Sequence, residues 1–177
     1  DRYLNQSNIN DSRAIDPWRF IPFVGMHVGC IFVFFTGVSS FAVTLALGMY
    51  FLRMFFITAF YHRGFAHRTF ESGRIFKFVM AVLGCTAGQR GPLWWASHHR
   101  HHHIHSDTEL DPHSPKADSF FYSHCLWFMT KGAFPIQWSH IGDLRKFKEL
   151  VYLEKFDWVP FLLSFQVLNF FLCWYKG

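Results

Sequence analysis

The sequence predicts an all-α integral membrane protein, on three observations: long apolar runs almost without charge, a high aromatic content, and histidines gathered in two short clusters. Hydrophobic residues make up 51% of the chain, aromatic residues 21% and charged residues 16%, where an ordinary soluble domain carries about 25% charged residues. The apolar excess sits in residues 20–38, which carry no formal charge, residues 41–61, which carry Arg53 alone, and residues 158–175, which carry none. A helix crosses the hydrocarbon core with roughly 20 residues, so three transmembrane helices are expected. As core helices of a soluble protein, three such runs in 177 residues would leave too little polar surface to cover them.

The first run lies behind a polar segment containing Asp1, Asp11 and Asp16 and is too long for the apolar part of a cleavable signal. Arg2, Arg13 and Arg19 precede it, residues 36–40 carry no charge, and Arg63, Arg68, Arg74 and Lys77 follow the second run. The positive-inside rule then puts the N-terminus and the segment after Tyr61 in the cytoplasm. Residues 75–89 are apolar but too few to span, so a short interfacial or re-entrant helix is expected there. It keeps both histidine clusters on one side of the bilayer. Residues 90–157 then form a cytoplasmic helical cap, and residues 1–177 read as one domain. Cys30, Cys85, Cys125 and Cys173 form no CxxC pair and read as small apolar residues rather than as a disulfide or zinc framework. Arg53 is expected to snorkel toward the headgroups. No nucleic-acid partner is expected.

The first histidine cluster is His62-Arg-Gly-Phe-Ala-His67, at the end of the second run. The second is His98-His99-Arg100-His101-His102-His103, followed by His105. Helical residues at i, i+3 and i+4 share a face, so His99, His102 and His103 could present three imidazoles to a metal pair. His98, His101 and His102 satisfy the same spacing, which leaves both registers open. Neutral imidazole suits zinc, iron, copper or nickel, and a set without nearby carboxylate or thiolate argues against calcium or magnesium. His62 and His67 are five apart, off one face of a regular α-helix, so the helix is expected to fray between them or to end before His67. The interleaved Arg63, Arg68 and Arg100 are expected at headgroups or water.

These residues resemble a known family. Tyr61-His-Arg-Gly-Phe-Ala-His-Arg-Thr-Phe70 is similar to the first histidine box of the membrane-bound acyl-CoA (stearoyl-type, delta-9-like) fatty acid desaturases, and Gln89-Arg-Gly-Pro-Leu-Trp-Trp-Ala-Ser-His-His-Arg-His-His-His103 to the second. The tail Ser106-Asp-Thr-Glu-Leu-Asp-Pro-His113-Ser-Pro115, followed by Phe120-Phe-Tyr-Ser-His124, resembles the bacterial branch in particular. The resemblance covers roughly residues 20–177. It implies His62, His67, His99, His102 and His103 as ligands of two non-haem iron ions, with His98 and His101 as bystanders. It further implies an oxygen-dependent dehydrogenation of a long saturated acyl chain carried as acyl-CoA, with electrons from a cytochrome b-type domain, ferredoxin or rubredoxin. Gln89 and Trp95 match positions lining the bend of the acyl tunnel. Asp107, Asp111 and His113 are expected to support the ligands by hydrogen bonding. The basic side (Arg90, Arg100, Lys116, Lys131, Arg145, Lys146 and Lys148) would suit CoA phosphates and an acidic electron carrier.

The expected place is therefore the lipid bilayer, as a multi-pass protein with its active site on the cytoplasmic side of a bacterial inner membrane, or of the endoplasmic reticulum in a eukaryote. The family pattern also has four more histidine ligands and a fourth transmembrane helix, which this sequence lacks; a partial chain, inactive alone, is expected. The alternatives are a histidine-box hydroxylase of alkanes or lipids, and a metal-binding membrane transporter. The transporter would need polar ligands within its spans, where only His27 stands.

Overall fold

The computed structural model describes residues 12–176, with side chains as far as residue 168. Asp1, Arg2 and Asp11, and the side chain of Cys173, lie outside the described residues. Within them the regular structure is helical, with one isolated antiparallel bridge between Ile15 and Thr130. Helix α1 spans Pro17–Ile31 and is followed by the short turn Val33–Thr36. Helix α2 spans Ser40–Phe55 and runs directly into a π-helix, Phe56–Ala66. Helices α3 (Arg74–Cys85), α4 (Pro92–His105), α5 (Lys148–Glu154) and α6 (Trp158–Lys176) follow, and the stretch between α4 and α5 is made of short turns.

Among the described residues, two stretches are long and apolar enough to cross a membrane: Pro17–Thr36, 20 residues, and Ser40–Ala66, 27 residues. No side chain of α1 or α2 is buried, and large apolar groups such as Trp18, Phe34 and Phe35 lie open. Exposing such surface to water costs about 25 cal/mol per Å²; hydrocarbon removes that cost, and the helices satisfy their own backbone. The third run is also helical: α6 has 19 residues, and its described part, Trp158–Leu168, is apolar. Helix α3, at 12 residues, is shorter than the expected 75–89. It stops because Thr86, Ala87 and Gly88 donate three residues back, and Gly88 and Arg90 then take positive φ.

By contact, among the described residues, 12–45 group with His102–Pro135, and Ala46–His101 with 136–176. In the first unit the Asp16 side chain accepts from the Trp18 backbone N–H at 3.0 Å, which, with Pro17 in the first turn, starts α1. Asp16 N–H donates to Met129, and Lys131 N–H to Ala14. Arg13 forks onto Asp118 at 2.9 Å.

The second unit holds a continuous core. Ile57, Tyr61, Phe65 and Ala66 of the π-helix pack with Met80, Ala81 and Cys85 of α3, Leu93 and Ala96 of α4, and Leu150 and Leu153 of α5. The wholly buried Tyr61 hydroxyl lies within hydrogen-bond distance of the Ala81 and Arg90 carbonyls and the Cys85 thiol. Its ring lies so close to Gly84 that no Cβ fits there. Burial, opposed by the bond from Tyr61, pushes the Cys85 thiol up to about 12, so it stays a neutral packing group. Cys30 and Cys125 are also free. Arg53, expected to snorkel, donates to Ser164 Oγ of α6 at 3.0 Å and lies over the Phe165 ring.

Candidate metal centre

The H-x4-H spacing finds its explanation in the π-helix. Its hydrogen bonds run from i to i−5, so residues five apart lie one above the other. His67 N–H donates to the His62 carbonyl at 2.9 Å. The helix therefore does not fray between the two histidines; it widens, ends at Ala66 with His67 as its cap, as the second expectation had it, and sets both imidazoles on one side. Arg68, at φ 55°, then turns the chain away.

Helix α4 supplies the opposing face. His67 Nε2 stands 3.1 Å from His62 Nε2 and 3.2 Å from His99 Nε2. His103 lies one turn beyond His99 on the same helix, and one ligand atom from each of His62, His67, His99 and His103 lies within 4.8 Å of every other. Two bare ring nitrogens at 3.1 Å repel unless a proton or a cation lies between them. With bonds of about 2.0–2.1 Å, as for zinc, ligand nitrogens sit about 2.9 Å apart around an octahedral ion and about 3.3 Å apart around a tetrahedral one. The His62–His67 and His67–His99 spacings fall between these values. The donor set thus fits a first-row transition metal.

Of the two registers that spacing left open, the group takes His99 and His103 and omits His98 and His101. The buried His98 packs against Trp94, and His101 Nδ1 faces His140 Nε2 at 3.4 Å. His102 also stands outside the four, with its ring 5.3 Å from that of His103. Its Nδ1 meets Asp111 Oδ1 at 2.8 Å. Asp111 is fully buried and accepts from the backbone N–H of Asp107 and of His113 as well. Burial acts to raise its pKa, but the bonds from His102 and the two amides outweigh that and hold the carboxyl below its usual range. A carboxylate only accepts, so Nδ1 of His102 carries the proton and Nε2 keeps its lone pair.

The other expected residues divide. His113 packs its ring between His102 and Trp127; burial pushes it down to about 4, so it stays neutral. Asp107 is engaged by Lys116 and Ser114 and reaches Asp111 through its backbone. Trp95 stacks on His99 with ring centroids 4.7 Å apart and donates from Nε1 to Gln89 Oε1 at 3.2 Å. Of the basic residues, Arg90 meets Asp157, and Arg68 and Arg100, expected at headgroups or water, both reach Asp143.

A family model described as fatty acid desaturase matches residues 16–176. The chain belongs to the fatty acid desaturase family. Among curated desaturases, it is 37% identical over 109 residues to an sn-1 stearoyl-lipid 9-desaturase of Anabaena variabilis, covering 60% of this chain and 40% of that one. It is 35% identical over 146 residues to an acyl-CoA 5-desaturase of Anemone leveillei, covering 80% and 45%. With the delta-9 acyl-lipid desaturase 1 of Arabidopsis thaliana the identity is 32% over 110 residues, covering 62% and 35%. The chain thus spans less than half the length of these relatives. No solved structure matches it.

Sequence reasoning missed a residue that holds the start of the helix bearing this candidate centre. Glu154, at the end of α5, is buried and accepts from the backbone N–H groups of Leu93 and Trp94, at 2.8 and 3.2 Å. It caps the start of α4 from a distant part of the chain, where a carboxylate is favoured by the helix dipole. Gly91 leaves it the room: a Cβ there would strike the carboxylate. Burial pushes Glu154 up to about 7 against the lowering effect of those amides. A lone glutamate in a polar stretch gives no signal of this.

Proposed function

We propose that the protein carrying this chain is an oxygen-dependent fatty-acyl desaturase. It sets a cis double bond into a long saturated acyl chain, with two non-haem iron ions held by His62, His67, His99, His102 and His103. The observation that supports this most directly is the convergence of His62, His67, His99 and His103 in a chain of the desaturase family. Irons bound there supply the activation of dioxygen needed to remove hydrogen from unactivated methylenes. The chain's own residues orient the donors. The π-helix sets His62 and His67 on one side, Trp95 holds the plane of His99, and Asp111 fixes the His102 tautomer that offers Nε2 as the ligand atom.

Trp95 and Gln89 stand beside the centre and line the acyl chain's dry path. The acyl carrier we propose is CoA, its phosphates and an acidic electron donor (cytochrome b-type, ferredoxin or rubredoxin) meeting the exposed Arg145, Lys146 and Lys148. A lipid-bound acyl chain is the second reading, favoured by the similarity to a stearoyl-lipid desaturase. The membrane arrangement proposed has three spans, at about 20–38, 41–61 and 158–175, with α3 lying in the interface and residues 90–157 on the cytoplasmic side. Expression of the whole protein that carries this chain, in a host fed a labelled saturated acyl chain, tests the reaction. A new cis-monoene supports it, appearing first in acyl-CoA or first in lipid according to the carrier; a hydroxylated chain, or no change, overturns it.

A further inference from the structure

We propose that Arg100 is a positioning residue that locks the end of the π-helix bearing His62 and His67 to the turn of α4 bearing His99. The inference rests on the metal-centre reading above and adds the device that sets the ligands' spacing. Arg100 directly follows His99, and its side chain is only 11% exposed. Nε donates to the Ala66 carbonyl at 3.0 Å, and Nη2 donates to the Phe65 carbonyl and to Asp143 Oδ2. Nη1 donates to the His140 carbonyl at 2.7 Å and to Asp143 Oδ1 at 2.6 Å. A guanidinium has five N–H groups in a fixed fork, and here all five are used.

The acceptors explain the placement. The last carbonyls of a helix have no partner within it, and those of Phe65 and Ala66 close the π-helix immediately before His67. A cation at a helix C-terminus is favoured by the backbone dipoles, and Arg100 supplies one together with the missing donors. Asp143 offsets the buried charge and also pairs with Arg68, the residue after His67. Burial acts to raise the Asp143 carboxyl, but the hydrogen bonds and charge of Arg100, with the charge of Arg68, hold it below the usual range. One carboxylate thus grips the residue that follows His67 and the residue that follows His99. Lysine has no planar fork and does not replace arginine at such a site.

Cobalt(II) titration of the full chain in detergent, read by its visible ligand-field bands, tests this. The unaltered chain binds cobalt, and His99→Ala loses it. Arg100→Gln and Arg100→Lys bind about 10- to 100-fold more weakly, as for other partners that orient metal ligands, with shifted bands and unaltered helix content by circular dichroism. An Arg100→Gln chain that matches the unaltered one in affinity and bands, while His99→Ala has lost binding, overturns the lock alone. No cobalt binding by the unaltered chain overturns the metal reading and the lock with it. Should Arg100→Gln fail to fold, Asp143→Asn keeps the side-chain shape and weakens the grip; about 10-fold weaker cobalt binding is expected, and unchanged binding overturns the proposal.

Discussion

The backbone N–H of His67 donates to the carbonyl of His62 at 2.9 Å, a five-residue step that sets the two imidazoles of one histidine box on one side of the helix. An α-helical step would place them about 140° apart, since successive residues turn by about 100°. The π-helix is thus the local structure that makes the spacing usable, and such turns gather at functional sites.

Inserting one alanine after Gly64 tests this register. It displaces His67 from His62 while leaving every donor in the sequence. Metal affinity should fall by at least about 100-fold, the upper end of what losing an orienting partner costs. Equilibrium dialysis with iron(II) measures it.

The histidine boxes, the apolar runs and the family resemblance were legible in the sequence because each is a local pattern of residue types. The π-helix was not, since spacing of five reads as a fault in a 3.6-residue period. Nor were the roles of Arg100 and Glu154. Both depend on partners 34 to 61 residues away, Ala66 for Arg100 and Leu93 for Glu154, and a charged residue between histidines reads as solvent-facing until its acceptors are known. Spacing left two registers on α4; the family resemblance implied one of them, and packing turns His98 to Trp94 and His101 to His140.

Asp111→Asn should weaken metal binding by about 10- to 100-fold through His102, because an amide can donate to Nδ1 and shift the imidazole proton to Nε2. Asp111→Ala should also destabilise the metal-free chain by about 1–3 kcal/mol, the cost of leaving buried donors without an acceptor. Metal titration and thermal unfolding of the metal-free chain separate the two effects.

Glu154 makes stability depend on pH. Its folded pKa, about 7, lies above the ordinary glutamate value of about 4.3, so the folded state binds the proton more tightly. Its contribution is fully present at acid pH and is lost as pH rises between those two values, by on the order of 3 kcal/mol. In Glu154→Gln the fall in thermal midpoint between pH 5 and 7.5 should be shallower than in the unaltered chain. Parallel pH profiles contradict the assignment.

Gly84 and Gly48 should respond oppositely to alanine. A Cβ at Gly84 strikes the Tyr61 ring, whereas nothing lies within 4 Å of one at Gly48. Gly84→Ala should cost about 1–3 kcal/mol by overpacking. Gly48→Ala, inside α2, should be neutral or stabilising by up to about 1 kcal/mol. Thermal midpoints in one detergent compare them.

X-ray absorption at the iron edge of the iron-loaded chain tests the central claim most directly. The account predicts nitrogen scatterers with the outer-shell pattern of several imidazoles, and loss of bound iron when His62, His67, His99 and His103 are all replaced by alanine. An oxygen-only shell, or iron retained at full stoichiometry by the fourfold variant, would contradict it.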